Sequence, residues 1–197
     1  RSVIDLDLPF TRRRIARPRI GEAERRPPFI AARGADNAIV ASWWDALALT
    51  DGEERVIECL KLISDVERVA LVEGASLRAR TPIVKFKGTT LPEPMRSLGD
   101  GFGRLFCVAL ALENARASKM LLIDELDNGI HYSVLPDLWR FITRAATATD
   151  VQVFATTHSW DCVEAFQAAT LENSEADGVL MKLARRRAED PVSAVVF

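Results

Sequence analysis

No stretch of the 197-residue chain strings together the roughly 18 apolar residues that a membrane-spanning helix needs, and no signal-peptide pattern is visible. A membrane partner is therefore not expected, and a cytoplasmic protein is. Cysteine is scarce. Cys59, Cys107 and Cys162 are an odd number and widely spaced, and all fall among apolar neighbours in segments read as helices. This argues against a disulfide framework or a metal cluster and for buried, reduced thiols. An excess of one charge is also lacking: the net charge of −2 carries no global sign of nucleic-acid binding. Internal repeats and low-complexity linkers are absent. So is an initiator Met, because the chain opens on Arg1, as expected of a fragment, a processed chain or the ordered part of something longer. What remains is 48% apolar and 27% charged, ordinary for a soluble globular protein, and long enough for one substantial core.

The most informative stretch is Lys119-Met120-Leu121-Leu122-Ile123-Asp124-Glu125. Four apolar residues run into two adjacent carboxylates. A short unbroken apolar run suits a strand buried on both faces of a parallel sheet. Charges cannot stay unpaired inside such a sheet, so Asp124 and Glu125 belong at its carboxyl end, where open α/β sheets bind ligands. Residues 132–147 follow as an amphipathic helix with the stripe Leu135, Leu138, Trp139, Ile142 and Ala145, and residues 151–156 as a second strand. Strand, helix and strand, with a connection of about 26 residues, make a βαβ unit. Its parallel strands should bring Asp124-Glu125 and Thr156-Thr157-His158 side by side.

The rest is read more coarsely. Residues 1–27 are an irregular or partly extended arm in which Arg12, Arg13, Arg14, Arg17, Arg19, Arg25 and Arg26 crowd near prolines; a solvated arm is the favoured reading over a phosphate contact. Residues 29–33 form a short strand, and 37–49 include a helix. Thr50 and Glu53 make a capping box for the helix after it. Residues 66–72 and 82–87 read as strands, the second half-solvated and antiparallel. Strands near 178–184 and 192–197 pair. Ser159 caps a helix running to about Leu171. Trp139 and Trp160 take helix positions that face the sheet, and Glu172, Glu175 and Asp177 make a solvated loop.

Ser97-Leu98-Gly99-Asp100-Gly101-Phe102-Gly103-Arg104 is a glycine-rich turn ahead of an apolar helix over 103–116. Its free backbone N–H groups and the positive helix end suit a phosphate. A carboxylate at a strand end, Asp124, suits Mg²⁺, which keeps several waters and one or two carboxylates alongside substrate phosphates. Glu125 is placed to orient or deprotonate an attacking water. His158 is placed to hydrogen-bond a γ-phosphate. These are parts for phosphoryl transfer from a nucleotide.

In this order the motifs resemble the carboxyl-terminal half of an ABC-type ATPase head of the SMC-, RecF- and OLD-like branch. Met120 to Glu125 resembles the Walker B strand with its catalytic glutamate. Asn128-Gly129-Ile130-His131 resembles the D-loop region, with His131 where transporters carry an aspartate. Phe154 to Ser159 resembles the switch-histidine motif. Ser97 to Gly101 resembles a variant signature turn, with Gly99 at the usual serine position. The likeness is best over residues 95–165.

The resemblance implies an α/β fold, a three-layer P-loop NTPase-like mostly parallel sheet with flanking helices, incomplete and within a single partial domain. That domain would comprise the arm at 1–27, a helical and strand insert at 28–94, and a core at 95–197. It implies ATP and Mg²⁺ as cofactors, Glu125 and His158 as catalytic residues and Asp124 as metal ligand. Ser97, Gly99, Asp100, Gly101 and His131 would contact nucleotide. It implies a homodimer or higher homo-oligomer through an ATP sandwich, in which the signature turn serves the nucleotide of another subunit. An effector nuclease or other partner protein, and DNA, are further partners it implies. No Gly-x-x-x-x-Gly-Lys-Ser/Thr phosphate loop occurs in the sequence. A missing amino-terminal lobe, a partner chain that supplies it, or a degenerate non-hydrolysing sensor or scaffold would each account for this. The first is expected, because the downstream motifs are intact.

Overall fold

The computed structural model describes the backbone of residues 3–5, and residues 26–73, 80–173, 175–185 and 192–197 in full. Of the arginine-rich arm, Arg12, Arg13, Arg14, Arg17, Arg19 and Arg25 lie outside the described residues, and Arg26 is exposed. The elements run β1 (Val3–Asp5), β2 (Phe29–Ile30), α1 (Asn37–Leu47), α2 (Asp51–Leu60), β3 (Val66–Glu73), β4 (Arg80–Phe86), β5 (Glu93–Pro94), α3 (Asp100–Asn114), β6 (Met120–Ile123), α4 (Leu135–Thr149), β7 (Gln152–Ala155), α5 (Trp160–Glu172), β8 (Met181–Ala184) and β9 (Ser193–Val196). Among the described residues, no helix is long and apolar enough to cross a membrane.

Three parallel strands, ordered β2-β6-β7, form the sheet that carries the site. The βαβ unit read from the sequence is β6-α4-β7. The remaining strands form two antiparallel sheets, β3-β4-β5 and β1-β9-β8. The pairing expected near the carboxyl end is β8 with β9; β1, inside what reads as an irregular arm, joins β9 on its other side.

The side-chain alternation of β6 corrects one expectation. Leu121 and Ile123 are fully buried, but Met120 and Leu122 are only half-buried. Register explains the difference. Ile30, Ile123, Leu121 and Val153 share the face that meets the core, whereas Phe29, Leu122 and Phe154 line up across the three strands on the other. Phe29 and Phe154 are about half-exposed (54% and 46%), so one face of the sheet is buried and the other is open.

Helix α3 is the hub of the core. Phe102, Leu105, Phe106, Val108, Ala109, Leu110, Ala111 and Leu112 are all buried, and the helix touches α1, α2, α4, β2 and β6. A helix apolar nearly all round is stable only when surrounded. It begins at Asp100 rather than at 103, because Gly99 (φ +92°) takes the cap position in a conformation open to glycine, and Asp100 then favours the dipole in the first turn. Thr50 caps α2 through the Gly52 N–H, and Glu53 reaches back to the Leu49 N–H at 2.7 Å, a capping box shifted by one residue. Ser159 caps α5 through the Cys162 N–H. Trp139 is buried and donates to the Cys162 sulfur between α4 and α5. Trp160, also expected to face the sheet, is 72% exposed instead: as the first residue of α5 it precedes the buried positions Cys162, Ala165 and Ala169. Glu172 is not simply solvated, since it closes α5 and pairs with Arg140 of α4. Cys59 and Cys162 are buried free thiols and Cys107 is half-buried.

Candidate functional site

The carboxyl ends of β6 and β7 meet as the sequence predicts. The Thr156 N–H donates to the Ile123 carbonyl at 2.9 Å, and the Leu126 N–H donates to the Thr156 carbonyl at 2.9 Å, so pairing continues one step beyond both strands. Thr156 then does two things with one hydroxyl. It donates to Asp124 Oδ1 at 2.7 Å and accepts from the Glu125 N–H at 2.9 Å. Thr157, pointing the other way, donates to Asp127 Oδ1. Two neighbouring hydroxyls thereby clip β7 onto the acidic turn after β6.

That turn is strained. Glu125 has φ +50°, a left-handed conformation that a side chain makes costly by about 1–3 kcal/mol. The kink separates the directions of Asp124 and Glu125, both half-buried. His158 stands exposed two residues past Thr156 and has no hydrogen-bond partner among the described residues. His131 is engaged locally: its Nδ1 lies 2.9 Å from Ser133 Oγ, caps the short turn 132–134, and its ring packs on Tyr132.

The glycine-rich turn lies against the loop after β6. A Cβ on Gly101 would meet the Gly129 carbonyl oxygen at 2.5 Å. Gly129 itself has φ +76° and sits over Asp100. Ser97 is exposed and its hydroxyl donates to the Pro94 carbonyl at 2.6 Å. In front of this turn opens a cleft of about 530 Å³ lined by Arg33, Arg96, Gly99, Asp100, Arg104 and Asn128. Its exposed arginines, Arg33 and Arg96, suit an anionic group. The structure thus brings Asp124, Glu125 and the Thr156–His158 segment to one sheet edge. It sets Gly99, Asp100 and Gly101 at the α3 end beside the loop that leads to His131.

The Mg²⁺ expectation meets suitable chemistry. Asp124 offers a hard carboxylate, one oxygen of which is oriented by Thr156. Among the described residues no three His, Cys, Asp or Glu side chains cluster as a metal cage.

Sequence reasoning passed over Arg104, Asp127, Thr156 and Thr157. Arg104 left a visible signal: a cation directly ahead of the apolar run 105–112 of its helix. In the structure it is 5% exposed and donates to the carbonyls of Ala31 (2.8 Å), Asp124 (2.6 Å) and Glu125 (2.7 Å), with a longer contact to Leu126 (3.4 Å). Burial pushes the guanidinium down from its ordinary range, while Cys107, Asp124, Asp127 and Glu125 oppose that shift. It stays charged, as arginine does in proteins.

Solved structures share this fold. One comes from work on ATP-driven dimerisation and DNA-stimulated activation of SMC ATPases: 12% identity, TM-score 0.52, 80% of this chain and 89% of that one. An SMC head bound to the winged-helix domain of ScpA gives 16% identity and TM-score 0.52 over 74% of this chain. The SMC head domain from Thermotoga maritima gives 13% identity and TM-score 0.50 over 83%. The chain spans only 42% and 52% of the last two. No curated protein matches the chain significantly. Residues 56–161, more than half of the chain, match the family described as "AAA domain, putative AbiEii toxin, Type IV TA system". The chain belongs to this AAA-domain family, and its α/β fold is that of the SMC ATPase heads.

Proposed function

We propose that the protein binds and hydrolyses ATP in step with head-to-tail dimerisation. Asp124, Glu125 and His158 of one subunit would serve one nucleotide, and the turn Ser97–Gly101 of the partner would close over it. The observation that carries this reading is the Thr156 hydroxyl, which binds Asp124 and the Glu125 backbone at once, so that the acidic turn and the His158 segment form one unit. Asp124 would hold Mg²⁺ together with the nucleotide, and the ion would supply charge neutralisation on the phosphates. Glu125 accepts a proton from the water whose oxygen bonds to the γ-phosphorus, as the bond to the ADP oxygen breaks. His158 donates to a γ-phosphate oxygen. Gly99, Asp100 and Gly101 offer the amino end of α3 to the partner's nucleotide, and His131 borders the same face. The reading requires a phosphate loop, which these 197 residues do not contain. The similar SMC structure from work on ATP-driven dimerisation and DNA-stimulated activation supports the dimer, and DNA or an effector protein such as a nuclease is the partner class that follows. A role in DNA transactions or anti-phage defence rests on that analogy.

The test is Glu125→Gln in the full-length protein. ATP binding persists, a dimer accumulates on a sizing column with light scattering, and turnover falls by about 10²-fold or more. Turnover within a few-fold of wild type removes Glu125 as the base.

The lack of a phosphate loop within the sequence favours a second reading, a non-hydrolysing nucleotide sensor or scaffold. Reading the gene upstream of Arg1 separates the two. A phosphate-loop sequence there ends the scaffold reading, and a true start at Arg1 ends the self-sufficient ATPase.

A further inference from the structure

Arg104 sits where a charge is least welcome. Its neighbours Leu105, Phe106, Val108 and Ala109 are 0–1% exposed, and among the described residues no carboxylate forms an ion pair with it. All of its hydrogen-bond acceptors are backbone carbonyls. Ala31 follows β2; Asp124, Glu125 and Leu126 follow β6. One planar fork therefore clasps the carboxyl ends of two adjacent parallel strands, a task for which a guanidinium is better shaped than an ammonium. Three of the four carbonyls belong to successive residues centred on Glu125, whose left-handed backbone must be held by its surroundings. Arg104 also lies one turn into the helix that opens at Gly99, the helix whose first turn abuts Gly129.

We infer that Arg104 is a positioning residue. It holds the Asp124–Leu126 turn in the kinked form that presents the Glu125 carboxylate, and it ties that presentation to the seating of α3 behind the glycine-rich turn. The catalytic half of this inference rests on the ATPase reading above; the structural half does not. A merely structural Arg104 would support the whole core equally, whereas a positioning Arg104 acts on one turn.

The experiment compares wild type, Arg104→Lys and Arg104→Gln in the full-length protein, by steady-state ATP hydrolysis and by hydrogen–deuterium exchange of peptides covering 124–128 and 105–112. The expected result is a kcat lower by about tenfold or more with KM for ATP within about threefold, and faster exchange confined to 124–128. Arg104→Lys should retain more activity than Arg104→Gln. Wild-type kcat in both variants overturns the inference. So does a loss of kcat with faster exchange spreading through 105–112, or failure of both variants to fold, since either makes Arg104 a support of the entire core. If wild type itself hydrolyses no ATP, the ATPase reading fails and exchange alone decides: acceleration confined to 124–128 sustains the holding role, and unchanged exchange there overturns it.

Discussion

Gly101 and Gly129 touch backbone to backbone: a β-carbon at position 101 would stand 2.5 Å from the Gly129 carbonyl oxygen. The contact locks the first turn of α3 to the loop that follows the acidic residues. Gly101→Ala must push the two segments apart, with an expected cost of about 1–3 kcal/mol. Gly103, two residues on, has nothing within 4 Å of the same built atom. Gly103→Ala is the matched control and should stabilise by about 0.4–1 kcal/mol by restricting the unfolded chain. Urea unfolding of the two variants gives shifts of opposite sign.

Thr156 links the Asp124 carboxylate to the kinked turn. Thr156→Val keeps the shape and removes the hydroxyl that Asp124 and the Glu125 N–H share. The site is exposed, so the stability cost is about 1 kcal/mol or less. The expected functional effect is larger: Asp124 loses its orientation, and the Mg²⁺ concentration for half-maximal ATP hydrolysis rises several-fold. A Mg²⁺ titration of turnover measures this, and an unchanged midpoint would separate Thr156 from the metal.

His158 is exposed and, among the described residues, makes no hydrogen bond. Removing it should leave stability within about 0.5 kcal/mol. His158→Ala is therefore a clean probe: ATP binding is held within a few-fold, while hydrolysis falls by about 10²-fold. Steady-state hydrolysis at the wild-type rate would reduce His158 to a loop residue.

Burial pushes the Cys59 thiol far above its ordinary value of 9.0, and it pushes Cys107 and Cys162 up as well. A group whose folded value is raised stabilises the fold below the unfolded value, and that contribution is lost as pH climbs past it. At pH 8 the native protein should alkylate slowly at Cys59 and quickly once unfolded in urea. Thermal stability should begin to fall above about pH 9, less so in Cys59→Ala. Mass spectrometry of labelled peptides and melting curves at pH 8 and pH 10 check both.

Much of the site was legible because it is local in sequence. The run from Met120 to Glu125 announces a strand and its carboxylates, and the spacing to Phe154–Ser159 announces the parallel partner. The glycine-rich turn ahead of a helix was legible, although the helix starts at Asp100, three residues before the expected start. Arg104 was visible as an anomaly but not as a function, since its acceptors, at Ala31 and Asp124–Leu126, are backbone atoms distant in the chain. The same limit hid Thr156 and Thr157: a threonine pair at a strand end has many ordinary uses, and only register decides which carboxylate each hydroxyl meets. Trp160 was misread because helical spacing gives a position on the helix but not the side that is covered.

The order of apolar and acidic residues determined that a βαβ unit exists and which carboxylates leave it, because hydrophobic periodicity and the cost of burying charge act within a few residues. Tertiary structure decided the rest. Whether Asp124 and Glu125 stand at a usable angle depends on a left-handed kink, a threonine from the next strand and an arginine from a helix twenty residues away. Hydrogen bonds between segments distant in the chain depend on how the strands register and how α3 docks, and those are properties of the packed fold rather than of any one stretch.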